Sequence, residues 1–254
     1  MAAARFDADP ACVTVEFLGA AAAGKTTAAL ALSADLRGRG SPVRLVQFGR
    51  ASPPGDLEPP SGGSPLSIQL MKIAGGLRAL LPDGRRDPIV EELLAILPPG
   101  SRVRELRIRR YAADLCRAWR DNQRAGEVMI LDQGFLTLLC SMALLSDPID
   151  RSALARGLAL VPRADLLIHV VAPRSVLESR LQERVRRRRA FERLFGNEVG
   201  LWLRQAEIAA VLAELLAEEG RVVMNVQSGN RADLDAAVQS IAGEIGSLIG
   251  DKSE

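Results

Sequence analysis

Residues 19–26, Gly-Ala-Ala-Ala-Ala-Gly-Lys-Thr, set two glycines, a lysine and a hydroxyl in the spacing GxxxxGK[ST]. Each fixed position has a chemical reason. Glycine lets the backbone turn sharply and approach a ligand closely. Loop N–H groups at the head of a helix, backed by the positive end of its dipole, surround an anion. Lys25 then pairs with phosphate oxygens, and the Thr26 hydroxyl ligates Mg2+. With this composition, chance produces the pattern at roughly two in a thousand. It also falls where it must, straight after the apolar run at 12–18 and at the start of KTTAALALSADLRGRG. An alanine-rich helix with a fortuitous lysine is the competing reading, which Gly19 and Gly24 disfavour. The expectation is a nucleotide phosphate site made of Gly19, Ala22, Ala23, Gly24, Lys25, Thr26 and Thr27.

Two further features invite a role beside a phosphate. Asp132 ends the short apolar run at 127–131, and open α/β sheets take their ligands at the carboxyl ends of strands. It either accepts a proton from an acceptor hydroxyl, holds Mg2+ through water, or caps the helix that follows. Arginines 184 and 186–189 form the second feature. Arg184 and Arg188, four apart, share a helix face and would stabilise charge on a transferring phosphoryl group. A solvated face or an RNA-binding patch is the plain alternative.

These residues need a scaffold. Apolar runs at 12–18, 43–48, 127–131, 165–172 and 221–226 read as strands, separated by helical patterns at 25–40, 65–81, 88–97, 101–124, 134–146, 149–160, the stretch after Pro173, 198–219 and 230–249. Strands alternating with helices make a parallel α/β sheet. Residues 49–65, dense in Pro, Gly and Ser, read as a long loop inside one domain spanning 12–250, behind an N-terminal extension at 1–11. His169, the only histidine, lies in an apolar strand and reads as a packed, hydrogen-bonded core residue. Trp119, Trp202 and Tyr111 lie in helical stretches and read as packing.

Composition narrows the class. A formal net charge of +2 is too small to point to nucleic acid or a membrane surface. Cys12, Cys116 and Cys140 show no CxxC spacing, so neither a disulfide framework nor a zinc site is expected, and a reducing cytoplasm is. The first eleven residues lack a signal-peptide core, and the longest uncharged apolar run, 135–145, is too short to span a bilayer.

P-loops serve switches, motors and kinases alike. A suitably placed DxxG and NKxD pair, an LSGGQ-type signature and a second lysine ahead of the glycines are all missing, which leaves the small kinases. The layout over about 12–245 resembles the nucleoside monophosphate kinase superfamily, above all thymidylate and deoxynucleoside kinases. The phosphate loop, "FGRASPPGD" after the second strand, "RRYAADLCRAWRDNQRAGEVMILDQG", and "LLIHVVAPRSVLESRLQERVRRRR" come in the family's order. The resemblance implies a P-loop NTPase fold with a five-stranded parallel sheet, helices on both faces and an arginine-rich lid at about 184–197. It also implies ATP and Mg2+ as cofactors and a small-molecule acceptor, most directly a nucleotide or nucleoside. On the acceptor side it points to Arg50 in the loop at 49–65, Arg109 or Arg110 on a long helix, and Gln133. The adenine would border the loop 227–230. The family allows a homodimer, for which the apolar helix at 111–119 is a candidate face.

Gln133 stands where thymidylate kinases carry an arginine. A neutral amide hydrogen-bonds a hydroxyl, sugar or base but does not neutralise a phosphate. A non-nucleotide alcohol such as a sugar or antibiotic is therefore the nearest alternative acceptor. A nucleotide-binding regulator without an acceptor, and an RNA-directed use of the arginines, are readings from other classes.

Overall fold

The computed structural model describes residues 12–47, 87–144, 148–187 and 198–253. In chain order they form β1 (Val13–Leu18), α1 (Lys25–Gly38), β2 (Val43–Val46), α2 (Pro88–Ile96), α3 (Arg102–Asn122), β3 (Val128–Leu131) and α4 (Phe135–Ala143). There follow α5 (Arg151–Leu160), β4 (Leu166–Val171), α6 (Arg174–Arg187), α7 (Glu198–Glu218), β5 (Val223–Gln227) and α8 (Arg231–Ser253). The five strands make one parallel sheet in the order β2-β3-β1-β4-β5, with Val15 of β1 aligned with Ile130 of β3 on one side and Leu166 of β4 on the other. The helix expected at 65–81 and the loop at 49–65 lie outside the described residues.

Helices cover both faces, which explains the near-continuous apolar strands. Val13, Val15 and Phe17 of β1 pack with Leu32 and Leu36 of α1 and Ile241 and Ile245 of α8. Leu18, Met129, Leu131 and Leu167 face the opposite layer, built from α2 to α5 and α7. Chain leaving β1 runs toward β2 at one edge of the sheet and chain leaving β4 runs toward β5 at the other. A crevice opens at the carboxyl ends between them, where open sheets bind ligands.

Local chemistry sets the element ends. Ser101 Oγ accepts from Arg104 N and starts α3, Asp87 with Pro88 behind it starts α2, and Asp150 caps α5 through Ala153 N at 2.9 Å. The last helix runs past the expected 249 to Ser253, because Lys252 Nζ donates to Cys12 O at 2.7 Å and pairs with Asp165 at 2.8 Å.

Four apolar residues at 111–119 belong to the protomer's own core. Ala112, Leu115, Cys116 and Trp119 are buried inside the protomer, and Trp119 meets Phe135 edge-on at 5.9 Å. Tyr111 does more than pack, since its hydroxyl donates to Gln133 O at 3.2 Å. His169 keeps its hydrogen bond, with Nδ1 2.9 Å from Asn225 Oδ1, but is only half-buried because β5 is an edge strand. Burial there lowers its pKa and favours the neutral ring. No described helix is long and apolar enough to cross a membrane.

Candidate functional site

The loop between β1 and α1 is shaped by its own backbone. Gly19 has φ 144°, and a Cβ there would lie 2.4 Å from Val170 O of β4, so no side chain fits. Gly24 is the left-handed N-cap residue of α1 at φ 101° and supplies no side-chain cap, and the first turn carries no acidic residue. The first N–H groups of that helix thus face the crevice with the dipole's positive end behind them, a setting for an anion. Ala22 holds φ 62°, a left-handed conformation that costs an alanine about 1 kcal/mol.

Lys25 Nζ folds over this loop, donating to Gly19 O at 2.7 Å and Ala20 O at 2.8 Å. Thr26 Oγ1 donates to Asp132 Oδ2 at 2.9 Å, joining the head of α1 to the end of β3. Asp132 is 2% exposed. It does not cap the helix that follows. The N-cap residue of α4 is Gly134, and the N–H of Leu136 goes to Glu16 Oε1 at 2.5 Å.

A cleft of about 620 Å³ runs along this loop. Ala22, Gly24, Lys25, Thr26 and Thr27 line it, while Gly19 and Ala23 are buried behind its wall. Gln133 lines one end together with Thr137 and Ser141 of α4. Arg180, Ser228, Asn230 and Leu234 frame the other, and Gln205 of α7 reaches in to accept from Ala21 N at 2.9 Å. Arg180 bridges two loops there, donating to Ser228 O at 2.7 Å and Ala22 O at 3.4 Å. Ser228 in turn donates its hydroxyl to Ala23 O.

Arg109 is not part of this wall. Its guanidinium donates to Glu105 at 3.0 and 2.8 Å and also pairs with Glu91, which raises its pKa and ties α3 to α2. The helical position was legible, but the carboxylate from α2 that claims the side chain was not. Arg110 is exposed, 3.9 Å from Asp114. Arg184 belongs to the last turns of α6, with its side chain outside the described residues, as are Arg50 and Arg188.

Sequence reasoning overlooked Glu16, Thr137, Ser141, Arg180 and Gln205. Glu16 carried a signal, being an acid in the apolar strand VTVEFL. It is 1% exposed, and burial pushes its pKa up to about 7, against the pull of the Leu136 N–H and Arg221. Burial and the nearby carboxyls of Glu16 and Asp132 keep the Tyr111 phenol neutral. No cluster of three metal-ligating His, Cys, Asp or Glu occurs among the described residues. A cation here would have to share its oxygen ligands between Thr26, Asp132 and a bound anion.

No protein-family model and no curated protein matches the chain. Among solved structures, a deoxyadenosine kinase from M. mycoides with bound dCTP aligns with 91% of this chain and 100% of that one, at 14% identity and TM-score 0.51. A thymidylate kinase from Ehrlichia chaffeensis aligns with 93% of this chain and 100% of that one, at 12% identity and TM-score 0.43. Strand order, loop geometry and the first of these likenesses agree that the chain has the α/β fold of the P-loop kinases.

Proposed function

We propose that the protein is a kinase that moves the γ-phosphoryl group of ATP, with Mg2+, onto a small-molecule acceptor of the nucleoside or nucleotide kind. The observation that carries this reading is the Thr26–Asp132 hydrogen bond at 2.9 Å. It sets a hydroxyl and a carboxylate side by side at the head of α1, hard oxygen donors that suit Mg2+. When bound there, the ion would supply neutralisation of phosphate charge.

The chain's own residues would do the rest by positioning and electrostatics. Loop N–H groups from Ala22 to Thr26 and the α1 dipole hold the phosphates, and Lys25 exchanges its two loop carbonyls for phosphate oxygens. Thr26 faces β3, so the γ-phosphoryl end points toward Gln133 and α4, and the nucleoside end toward Arg180, Ser228 and Asn230. Asp132 lies behind Thr26 and is not a wall residue of the cleft, which favours metal support over direct proton abstraction. By resemblance, Arg184 and Arg188 close over the transferring group and Arg50 serves the acceptor side. The extension of the cleft past Thr26 to Gln133, Thr137 and Ser141 favours a transferase over a regulator that binds nucleotide alone.

The test is ADP formation by the purified chain with Mg2+ and ATP across nucleosides, nucleoside monophosphates and other hydroxylated metabolites. Acceptor-dependent turnover that falls about a hundredfold or more in Lys25→Ala supports the kinase. ATP binding without turnover on any acceptor moves the assignment to a nucleotide-binding regulator.

A further inference from the structure

Helix α7 lays Gln205, Ile208, Ala209, Leu212 and Leu216 along one stripe, the last four fully buried. A glutamine in a core stripe gives up its hydration, and both ends of its amide then need partners. The oxygen has one. Its partner is the N–H of Ala21 at 2.9 Å, a donor, which fixes Oε1 toward the loop after β1 and turns Nε2 away from it. Gln205 keeps 9% exposure and forms part of the cleft wall, so what it exposes opens on the cleft rather than into the core.

The Ala21 N–H does not itself require this glutamine, because Ala21 is half-buried on the same wall, where water can satisfy it. What the contact does is move a donor. Gln205 takes up one N–H of the loop and presents two of its own from a different helix. Lys25 Nζ donates to Ala20 O at 2.8 Å, the carbonyl of the same peptide unit whose N–H goes to Gln205. Ammonium, peptide and amide thus form one polarised chain, which makes the Nε2 hydrogens stronger donors. A donor so strengthened, beside the residue that pairs with the β- and γ-phosphates in a P-loop, suits an anionic oxygen.

We infer that Gln205 is a phosphate-binding residue. Its Oε1 keeps the Ala21 N–H while Nε2 donates to an oxygen at the β,γ end of a bound nucleoside triphosphate, so that the nucleotide ties α7 to the loop after β1. This rests on the kinase reading above. Backbone donors for the phosphates then begin at Ala22, since that of Ala21 is spent on Gln205, and the side-chain amide takes its place.

The experiment titrates the full 15N-labelled chain with ATP and Mg2+, without an acceptor, and follows by NMR the Gln205 side-chain amide, assigned through its backbone. Calorimetry gives the ATP affinity of wild type and of Gln205→Met, whose unbranched side chain fills the same space without the amide. The expected result is that the Gln205 N–H2 pair moves downfield and exchanges more slowly with solvent once ATP is bound. Gln205→Met should melt near wild type and bind ATP about tenfold more weakly, the loss of a hydrogen bond to a charged group. An N–H2 pair that stays in place while ATP binds overturns the inference and leaves the nucleotide site standing, with Gln205 a brace for the loop only. Undiminished ATP affinity in Gln205→Met overturns it as well. Failure of the wild-type chain to bind ATP sinks the kinase reading and the inference with it.

Discussion

Glu16, in the middle of β1, accepts the N–H of Leu136 in the first turn of α4 at 2.5 Å, and so caps a helix 120 residues away in the chain. Gly134, the helix's own N-cap residue, has no side chain with which to do this. The turn Asp132-Gln133-Gly134 is thereby pinned from β1, while the Tyr111 hydroxyl holds Gln133 O from α3. Asp132 and Gln133, the two candidate site positions at the end of β3, owe their placement to residues from two distant elements.

Burial makes this cap pH-sensitive. The Glu16 carboxyl has its pKa raised in the fold from 4.5 to about 7, so the folded state binds its proton more tightly than the unfolded chain. Its stabilising contribution is fully present below the unfolded value and is lost as pH rises through the folded one. At about 1.4 kcal/mol per pH unit, the loss between pH 4.5 and about pH 8 amounts to about 3 kcal/mol. Glu16→Gln keeps the acceptor oxygen without titrating. Denaturant unfolding of both proteins over this range should show wild type losing that amount relative to the variant. Parallel pH curves would mean that the carboxyl is not held protonated in the fold.

Space beside the cap is as tight as its chemistry. A Cβ on Gly134 would come within 2.5 Å of Glu16 Cδ and Oε1, so Gly134→Ala must displace the carboxyl. Its φ of −109° is ordinary for alanine, and the cost is therefore one of overpacking, about 2 kcal/mol. In a Glu16→Ala background the obstacle is gone and the same substitution should cost under about 0.5 kcal/mol. A double-mutant cycle by chemical denaturation measures the coupling, and additive costs would mean that the two residues do not meet.

Ala22 stands at φ 62° in the phosphate loop, where glycine would be at ease. Ala22→Gly should stabilise the fold by about 0.5 kcal/mol, the relieved strain less the extra freedom glycine brings to the unfolded chain. A loss of stability on this substitution would show that Ala22 does not hold a left-handed conformation.

The sheet was legible because each strand is an apolar run bounded by charge, glycine or proline, and all five lie within about two residues of their expected limits. The pairing of Thr26 with Asp132 was legible in kind, since a phosphate-loop hydroxyl and an acid at a strand's end converge at the crevice of any such sheet. What stayed hidden depends on contacts between distant segments. Arg109 looked free to face a ligand until Glu91 of another helix claimed it. Thr137 and Gln205 look like ordinary helix residues until the cleft and the Ala21 N–H supply their surroundings. Glu16 alone announced itself, and its partner could not be named without the fold.

Arg180 gives the sharpest separation between the two ends of the cleft. Its two nitrogens join Ser228 O after β5 to Ala22 O in the loop after β1, at 2.7 and 3.4 Å, so it both shapes the end of the cleft proposed for the nucleoside and adds a cation there. Arg180→Ala removes the bridge and the charge. Affinity for ATP, measured by titration calorimetry, should fall about tenfold, in line with the loss of a charge-assisted contact. Arg180→Lys should recover only part of this, because a single ammonium lacks the planar fork that reaches both carbonyls. The KM for the acceptor should stay within about twofold in both variants, since Gln133, Thr137 and Ser141 are at the other end of the cleft. A larger rise in acceptor KM than in ATP dissociation constant would reverse the assignment of the two ends, placing the acceptor beside Arg180 and the nucleoside beside α4.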